Sequence, residues 1–243
     1  MVSYRFDGIS PVTGGPIVGH LLYSTSNGKT GPGWQLAILD GKQHPLDAIK
    51  SGGDNSICGN CPLRKDPVTG QRACYVTPMA LGQIWKKGPS RVANPEPSDL
   101  PRSGYTRLGL YGDPAMLPFQ VVQGIAGRAK KWTGYTHQHR EAFYDRRFDA
   151  ILMRSVESIE QARSAWKEGA RTYRADWEGL GPQENEIYCP YPKVQCADCG
   201  LCNGIGEKEE RKTLKSIVIP PHGNGFKGNE AKKKLTALRI LGQ

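Results

Sequence analysis

The stretch Tyr105-Thr-Arg-Leu-Gly-Leu-Tyr111 opens the part of the chain whose pattern decides the fold. Its polar and apolar residues alternate, as they do in a β-strand. Residues 118–131 then carry apolar side chains at the period of a helix, and Trp132-Thr-Gly-Tyr-Thr-His137 returns to a strand pattern. A strand, a helix and a second strand at this spacing are typical of a parallel βαβ unit.

The alternation continues along the chain. Residues 157–169 predict a second helix that Ser158 caps, with Gln161 three residues further on as in a capping box. Further strands are predicted at 151–156, 171–175 and 216–220, and a helical composition marks 140–149. We therefore predict an α/β fold whose core, residues 105–243, is an open doubly wound sheet or a partial parallel (β/α) barrel.

Residues 1–104 form a separate N-terminal region in this interpretation. Gly19–Ser24 and Trp34–Leu39 are short strand-like runs, and the turn-forming residues 26–33 between them predict a β-hairpin. A short helix over 78–87 and a long loop over 88–104 complete the region. The last part of the chain, 229–241, predicts a basic amphipathic helix.

The seven cysteines fall into two groups and avoid the apolar segments. The first group, which we call the triplet, is Cys58, Cys61 and Cys74. The second group, which we call the quartet, is Cys189, Cys196, Cys199 and Cys202. The N-terminus has no apolar signal-peptide core and no run of about 18 apolar residues occurs, so we expect a cytoplasmic protein without a membrane span. In a reducing cytosol, clustered cysteines are more often metal ligands than disulfides.

The spacing of the quartet favours an iron–sulfur cluster. Cys196-x2-Cys199-x2-Cys202 lets one loop wrap a [4Fe–4S] cubane, and the remote Cys189 is followed by proline, as in ferredoxin-type runs. Zinc is the alternative, because four thiolates also satisfy a structural zinc ion. The triplet leaves three options open: zinc with a histidine such as His44, a three-cysteine [4Fe–4S] cluster with one open iron, or one site shared with the quartet.

Ionisable residues follow each predicted strand of the core. Because the carboxyl ends of parallel strands meet at one edge of a sheet, these residues are expected to form one catalytic rim. The candidates, in chain order, are Asp113, His137, Glu157, Arg174 and His222. A metal-dependent nuclease built on Asp113, His137, His139 and Glu157 is one function that such a rim allows.

The charge distribution points to an anionic partner. The formal net charge is +10 at pH 7, and residues 203–243 hold nine Lys or Arg but four Glu. Nucleic acid is the leading candidate partner. A solvated basic tail is the alternative.

A family resemblance extends over residues 24–223. The chain resembles a family of uncharacterised phage and plasmid proteins in seven segments: Ser26-Asn-Gly-Lys-Thr-Gly31, Ser56-Ile-Cys-Gly-Asn-Cys-Pro62, Ala73-Cys-Tyr-Val76, Leu108-Gly-Leu-Tyr-Gly-Asp-Pro114, Thr133-Gly-Tyr-Thr-His137, Arg171-Thr-Tyr-Arg174 and 196–204. The order of elements is similar in turn to that of radical-SAM proteins, with a cysteine triplet, a partial parallel barrel and a cysteine-rich extension.

The radical-SAM resemblance implies a role for each cysteine group. The triplet would hold a [4Fe–4S] cluster whose open iron binds S-adenosylmethionine, and the quartet would hold an auxiliary cluster. The chain departs from that pattern in having Cys-x2-Cys-x12-Cys instead of Cys-x3-Cys-x2-Cys, and in lacking a Gly-Gly-Glu strand end. The leading hypothesis is an iron–sulfur enzyme of a mobile genetic element that acts on nucleic acid or a nucleotide. A zinc-stabilised nucleic-acid-binding protein without catalysis is the second, and the nuclease is the third.

Overall fold

The computed structural model of the protein describes residues 3–205, 214–221, Ala237 and Ile240. Its strands are β1 (Tyr4–Ile9), β2 (Pro16–Ser24), β3 (Gly33–Asp40), β4 (Val92–Ala93), β5 (Ser103–Tyr111), β6 (Ala129–Thr136), β7 (Met153–Val156), β8 (Thr172–Ala175), β9 (Glu186–Tyr188) and β10 (Ser216–Ile219). Its α-helices are α1 (Pro45–Ser51), α2 (Asn55–Cys58), α3 (Met79–Lys86), α4 (Phe119–Gly127), α5 (Ile159–Lys167) and α6 (Cys196–Cys199).

One large, mostly parallel sheet dominates this α/β fold. The strand order is β4-β1-β2-β3-β5-β6-β7-β8-β10-β9, and every neighbouring pair from β3 to β9 is parallel. The predicted parallel core is therefore confirmed. Within the described residues, β4 and β9 are the outer strands of the order, so closure into a partial barrel stays a prediction.

The N-terminal region joins the same sheet. The predicted hairpin is confirmed as β2 and β3, which pair antiparallel with Gly19 opposite Ile38. Strand β3 is buried on both faces except at its last residue, and it pairs in parallel with β5. The regions 1–104 and 105–243 therefore share one sheet. Sequence patterns missed β1, which lies on the outer side of the hairpin.

Two βα crossovers carry the parallel strands. Helix α5 begins as predicted, because the Ser158 hydroxyl accepts from the Gln161 N–H at 3.3 Å. Helix α4 ends at Gly127, earlier than predicted, and β6 follows from Ala129. The helix predicted over 140–149 is wrong. Two short 3-10 turns, Gln138–Arg140 and Arg146–Ala150, lie there instead, since the Asp145 carboxylate caps the second turn through the Arg147 N–H.

The tail and the membrane prediction are covered only in part. The helix predicted over 229–241 and the rim residue His222 lie outside the described residues, apart from Ala237 and Ile240, which are helical. Ile240 is buried against Ala73, Leu63 and Trp177. Among the helices of the described ranges, none has the length and apolar character to cross a membrane.

Candidate functional site

A cavity of about 120 Å³ opens at the carboxyl ends of β5 to β8. All three triplet cysteines line it, together with strand-end residues from each of those four strands. The residues that matter below are Cys58, Cys61, Cys74, Tyr75, Tyr111, Asp113, Tyr135, His137, Glu157 and Tyr173. The triplet therefore lies on the predicted rim, and Asp113, His137 and Glu157 converge there as the sequence predicted.

A small β-hairpin explains the long spacing between Cys61 and Cys74. Lys65 and Arg72 form an antiparallel bridge, and the Cys74 N–H donates to the Leu63 carbonyl at 2.7 Å. The residues between them turn back on themselves around Asp66, so the chain returns beside Cys61. The three cysteines are thus close together in space, and the twelve residues between Cys61 and Cys74 form the hairpin that separates them in sequence.

Asp113 and Gln138 attach the triplet loop to the strand ends. The Asp113 carboxylate accepts from the His137 N–H at 2.8 Å and from the Gln138 amide at 3.2 Å, and the same amide donates to the Cys58 carbonyl at 2.9 Å. Gly59 follows with a φ of +51°, and a Cβ there would overlap the Gln138 amide. The Asp113 carboxylate therefore binds a backbone N–H group and the Gln138 amide that contacts the triplet loop. Asp113 supports the triplet structurally.

A chain of polar contacts leads from the protein interior to Cys61. The Trp177 indole N–H donates to one oxygen of Glu157 at 2.6 Å, and the His137 Nε2 lies 2.9 Å from the other oxygen. The Cys61 thiol lies close enough to the same imidazole to interact with it electrostatically. Burial opposes the charge on His137, but Cys61 and Glu157 together raise the pKa of its imidazole well above the usual range. The imidazole is therefore oriented by a carboxylate and presented to a thiol.

Burial keeps two triplet thiols protonated in the metal-free chain. Burial, reinforced by Cys61, raises the pKa of Cys58 well above its ordinary value. Burial also raises the pKa of Cys74, although Arg72 opposes the shift. A metal centre needs the thiolate form, so binding would displace these protons and would be favoured at higher pH.

The quartet surrounds a second, much smaller cavity of about 20 Å³. All four of its cysteines line this space. Cys189 follows β9, a short strand that sequence patterns missed, and the Cys189 N–H donates to the Val218 carbonyl at 2.9 Å. Cys196 and Cys199 belong to α6, and the carbonyl of Cys202 accepts from the Gly134 N–H at 2.9 Å.

The quartet loop is held from two sides. The hairpin loop between β2 and β3 docks on α6, since the Ala197 N–H donates to the Thr30 carbonyl at 2.9 Å and the Cys196 N–H to the Lys29 carbonyl at 3.3 Å. The buried Arg171 guanidinium donates to the carbonyls of Leu201, Gly204 and Lys215. The segment Ser26-Asn-Gly-Lys-Thr-Gly31 therefore has a structural role, because its backbone carbonyls accept hydrogen bonds from the quartet helix α6.

Electrostatics in the quartet follow its burial. Burial raises the pKa of Cys202 to about 12, although a hydrogen bond from Tyr135 opposes the shift. Burial lowers the pKa of the Lys29 ammonium, whereas Cys189 and Cys196 act in the opposite direction. A cation and a set of thiols therefore share one poorly solvated space.

A pair of tyrosines separates the two cavities. Tyr135 and Tyr173 line both, and their ring centres lie 4.2 Å apart. Tyr173 and Arg174 are neighbours in β8, so their side chains point to opposite faces of that strand. The two cysteine groups therefore form separate sites that share one aromatic wall.

Three of the sequence candidates lie elsewhere. Arg174 does not line the triplet cavity, because its guanidinium is fully buried among Glu186, Asp176 and the Gly181 carbonyl. The His139 Nε2 faces the Ser155 carbonyl at 3.1 Å and lines a different groove, so the proposed nuclease residues are not brought together. His44 caps α1 and packs on Trp85, whereas His137 is the histidine beside the triplet.

The donor chemistry of both sites is that of thiolate-bound metals, but no centre is preformed. As placed in the described ranges, no group of three or more His, Cys, Asp or Glu side chains is arranged to hold a metal ion. Comparisons of the chain with protein-family models, with curated proteins and with solved structures find no match. The geometry of the two sites is therefore what bears on function.

Proposed function

We propose that the triplet cavity is the catalytic site of an iron–sulfur enzyme of radical-SAM-like architecture. The observation that carries the proposal is that three thiols line an open cavity at the carboxyl ends of four parallel strands. Catalytic metal sites keep an open coordination position, whereas structural sites are closed. The finer fold prediction, a partial (β/α) barrel, belongs to this proposal, as does a [4Fe–4S] cluster held by Cys58, Cys61 and Cys74.

The residues around the triplet suit that role. When bound, a cluster with one open iron would supply the means to bind and reductively cleave S-adenosylmethionine, by the radical-SAM resemblance. His137, held by Glu157 at 2.9 Å, would donate a hydrogen bond to the sulfur of Cys61 in the loaded site. Hydrogen bonds to the sulfurs are one determinant of a cluster's potential. Because no metal site is preformed among the described residues, the proposal includes a shift of thiol rotamers on loading.

The quartet is proposed to hold an auxiliary [4Fe–4S] cluster, with zinc as the alternative. Its cavity of about 20 Å³ leaves no room for a substrate, which suits an enclosed centre. Nucleic acid or a nucleotide of a mobile genetic element is the proposed substrate. The net charge of +10 supports an anionic substrate of this class.

Elemental analysis of protein purified without oxygen tests the metal assignment. We expect brown protein with roughly four to eight irons per chain. A variant with Cys58, Cys61 and Cys74 replaced by serine should keep only the quartet's iron. Colourless protein that holds stoichiometric zinc alone would instead support the zinc-stabilised nucleic-acid-binding protein.

Salt-dependent binding tests the substrate class. Fluorescence anisotropy with labelled single-stranded and double-stranded DNA and RNA should show affinities that fall steeply as salt rises. Replacing Lys232, Lys233 and Lys234 with glutamine should lower the salt slope by roughly two to three. Binding that is absent at low salt would contradict a nucleic-acid substrate while leaving the metal assignment untouched.

A second candidate function, cysteine-dependent group transfer, is favoured by one observation. Cys61, His137 and Glu157 are linked in the order of nucleophile, base and orienting carboxylate. In this alternative Cys61 is not a metal ligand, and a thiolate–imidazolium pair attacks an electrophilic carbon while His137 holds the thiol proton. The leaving group would then take that proton.

Alkylation of metal-free and iron-loaded protein separates the two functions. If Cys61 is a nucleophile, iodoacetamide should modify it first, and His137→Gln should slow that reaction about 10²-fold. If Cys61 is a cluster ligand, iron should protect it and His137→Gln should change the cluster's spectrum. Peptide mass mapping identifies the modified cysteine in both preparations.

A further inference from the structure

The quartet presents an electrostatic problem if it holds a metal centre, a premise that rests on the proposed function. Four thiolates around one divalent ion leave a net charge of about minus two, and a cubane is anionic as well. A buried net charge is strongly unfavourable unless an opposite charge or hydrogen-bond donors compensate it. A site of this kind therefore needs a cation close to the sulfurs.

Lys29 is placed to meet that need. Its side chain lines the same cavity as the four cysteines. The ammonium nitrogen lies 5.8 Å from the ring centre of Tyr75 and 5.5 Å from that of Tyr191. The Lys29 carbonyl accepts from the Cys196 N–H at 3.3 Å, so the backbone and the side chain of this residue both belong to the site.

The other cations near the quartet have different geometries. Of the described residues that line the cavity, Lys29 alone carries a positive side chain. Lys131 donates to the Asp198 carbonyl on the outside of the loop, and Arg171 binds backbone carbonyls at the loop ends. Arg107 donates to the Tyr75 hydroxyl at 2.8 Å. Lys131 and Arg171 hold the loop, and Arg107 acts on the charge of Cys196 without lining the cavity, whereas the Lys29 side chain lines the cavity together with the four cysteines.

We propose that Lys29 is the counter-ion of the metal centre in the quartet, held over the four sulfurs between the rings of Tyr75 and Tyr191. The lysine thereby raises the affinity of the quartet for an anionic metal–thiolate centre. Tyr75 directly follows Cys74 in the chain, so the same ammonium also connects the quartet to the wall of the triplet cavity.

Cobalt(II) binding to the full chain tests the role of Lys29. Tetrahedral thiolate–cobalt charge-transfer absorption reports occupancy without reference to activity, and competition with a chelator gives the affinity. The fraction due to the quartet is the signal that Cys199→Ser removes. We expect Lys29→Met to weaken that fraction at least about tenfold, as the loss of a group that supports a metal ligand does. Lys29→Arg should stay within about threefold, because it keeps the charge.

Lys131→Met is the matched control, since it removes a positive charge that contacts the same loop from β6 and does not line the cavity. Lys29→Gln repeats the charge removal if Lys29→Met fails to fold by near-ultraviolet circular dichroism. A quartet affinity in Lys29→Met and Lys29→Gln equal to that of the wild type overturns the counter-ion while leaving the metal site intact. A cobalt signal that Cys199→Ser does not reduce shows that the quartet binds no metal, which overturns both.

Discussion

The triplet and the quartet share an aromatic wall but are built in opposite ways. The triplet lines an open cavity of about 120 Å³, and polar side chains at strand ends, such as Asp113, position its loop. The quartet encloses about 20 Å³, and backbone hydrogen bonds from distant segments hold it. The open cavity leaves space for a second molecule, whereas the enclosed one does not. We therefore propose that the first site carries the chemistry and that the second stabilises the fold.

Single cysteine substitutions should give the largest separation between the sites. Cys199→Ser should lower the free energy of unfolding of metal-loaded protein by about 4 kcal/mol or more, because a tightly bound metal stabilises the folded state by mass action. Cys61→Ser should lower it by less, because a centre held by three thiols in an open cavity has one protein ligand fewer and contributes less to folding. Anaerobic denaturant unfolding checks both values. Equal losses would remove the distinction between an open and a closed site.

Arg174→Met should show that this residue supports the quartet and not the triplet. Its guanidinium lies 2.7 Å and 2.9 Å from the carboxylate oxygens of Glu186, the first residue of β9, which leads to Cys189. Removing one partner of a buried ion pair is destabilising by about 3–5 kcal/mol. We expect that loss in denaturant unfolding, with weaker metal binding at the quartet.

A surface ion pair provides the reference for Arg174. Arg163 lies 3.1 Å from Glu184, and both side chains are half exposed. Arg163→Met should therefore leave the free energy of unfolding close to that of the wild type. If Arg174→Met were as mild as this control but abolished turnover, Arg174 would be a catalytic residue after all.

The strand-end residues show how far the sequence could predict the site. Asp113, His137 and Glu157 reach one cavity because they follow neighbouring parallel strands, a rule that needs no coordinates. Arg174 was assigned to the same rim, but it lies one residue before the end of β8 and faces the opposite side of the strand. Because successive side chains of a strand point to opposite faces, a shift of one residue moves a side chain from the cavity to the core.

Other parts of the two sites depend on contacts that strand and helix patterns do not record. Strand β9 has three residues and two exposed side chains, so it lacks the length and alternation of a predictable strand. The hairpin that brings Cys74 to Cys61 was missed, although Asp66-Pro-Val-Thr-Gly70 has the composition of a tight turn. The docking of Lys29 on α6 joins segments more than 160 residues apart, as the bond from Gln195 to Gly28 shows.

Asp113→Ala should loosen the triplet while leaving the quartet intact. The carboxylate accepts from the backbone N–H groups of His137 and Ala115 at 2.8 Å and 3.0 Å, and alanine would leave these buried donors without an acceptor. The expected loss in the free energy of unfolding is about 2 kcal/mol. Asp113→Asn keeps an acceptor oxygen and should lose less. Iron content resolved by site should fall at the triplet alone, and an equal fall at both sites would contradict a local scaffold.

A pH dependence of stability that involves neither cysteine group should arise from His20. Burial, helped by the nearby Arg91 and Arg5 and opposed by Asp7, lowers the pKa of His20 in β2 from 6.5 to about 4. The unfolded chain therefore binds this proton first as the pH falls, so His20 favours folding above its unfolded pKa and loses that contribution towards pH 4. Between pH 7 and pH 5 the free energy of unfolding should fall by about 2 kcal/mol through this group.

His20→Gln should remove this pH dependence of the free energy of unfolding without changing either cysteine group. The difference in unfolding free energy between wild type and variant, measured at pH 7 and again at pH 5, isolates the histidine from the carboxylates that titrate in the same range. We expect the wild type to lose about 2 kcal/mol more than the variant over this interval. Parallel losses in the two proteins would mean that the pKa of His20 is the same in the folded and unfolded chain. Any pH dependence of metal binding that persists in His20→Gln then belongs to the cysteine sites themselves.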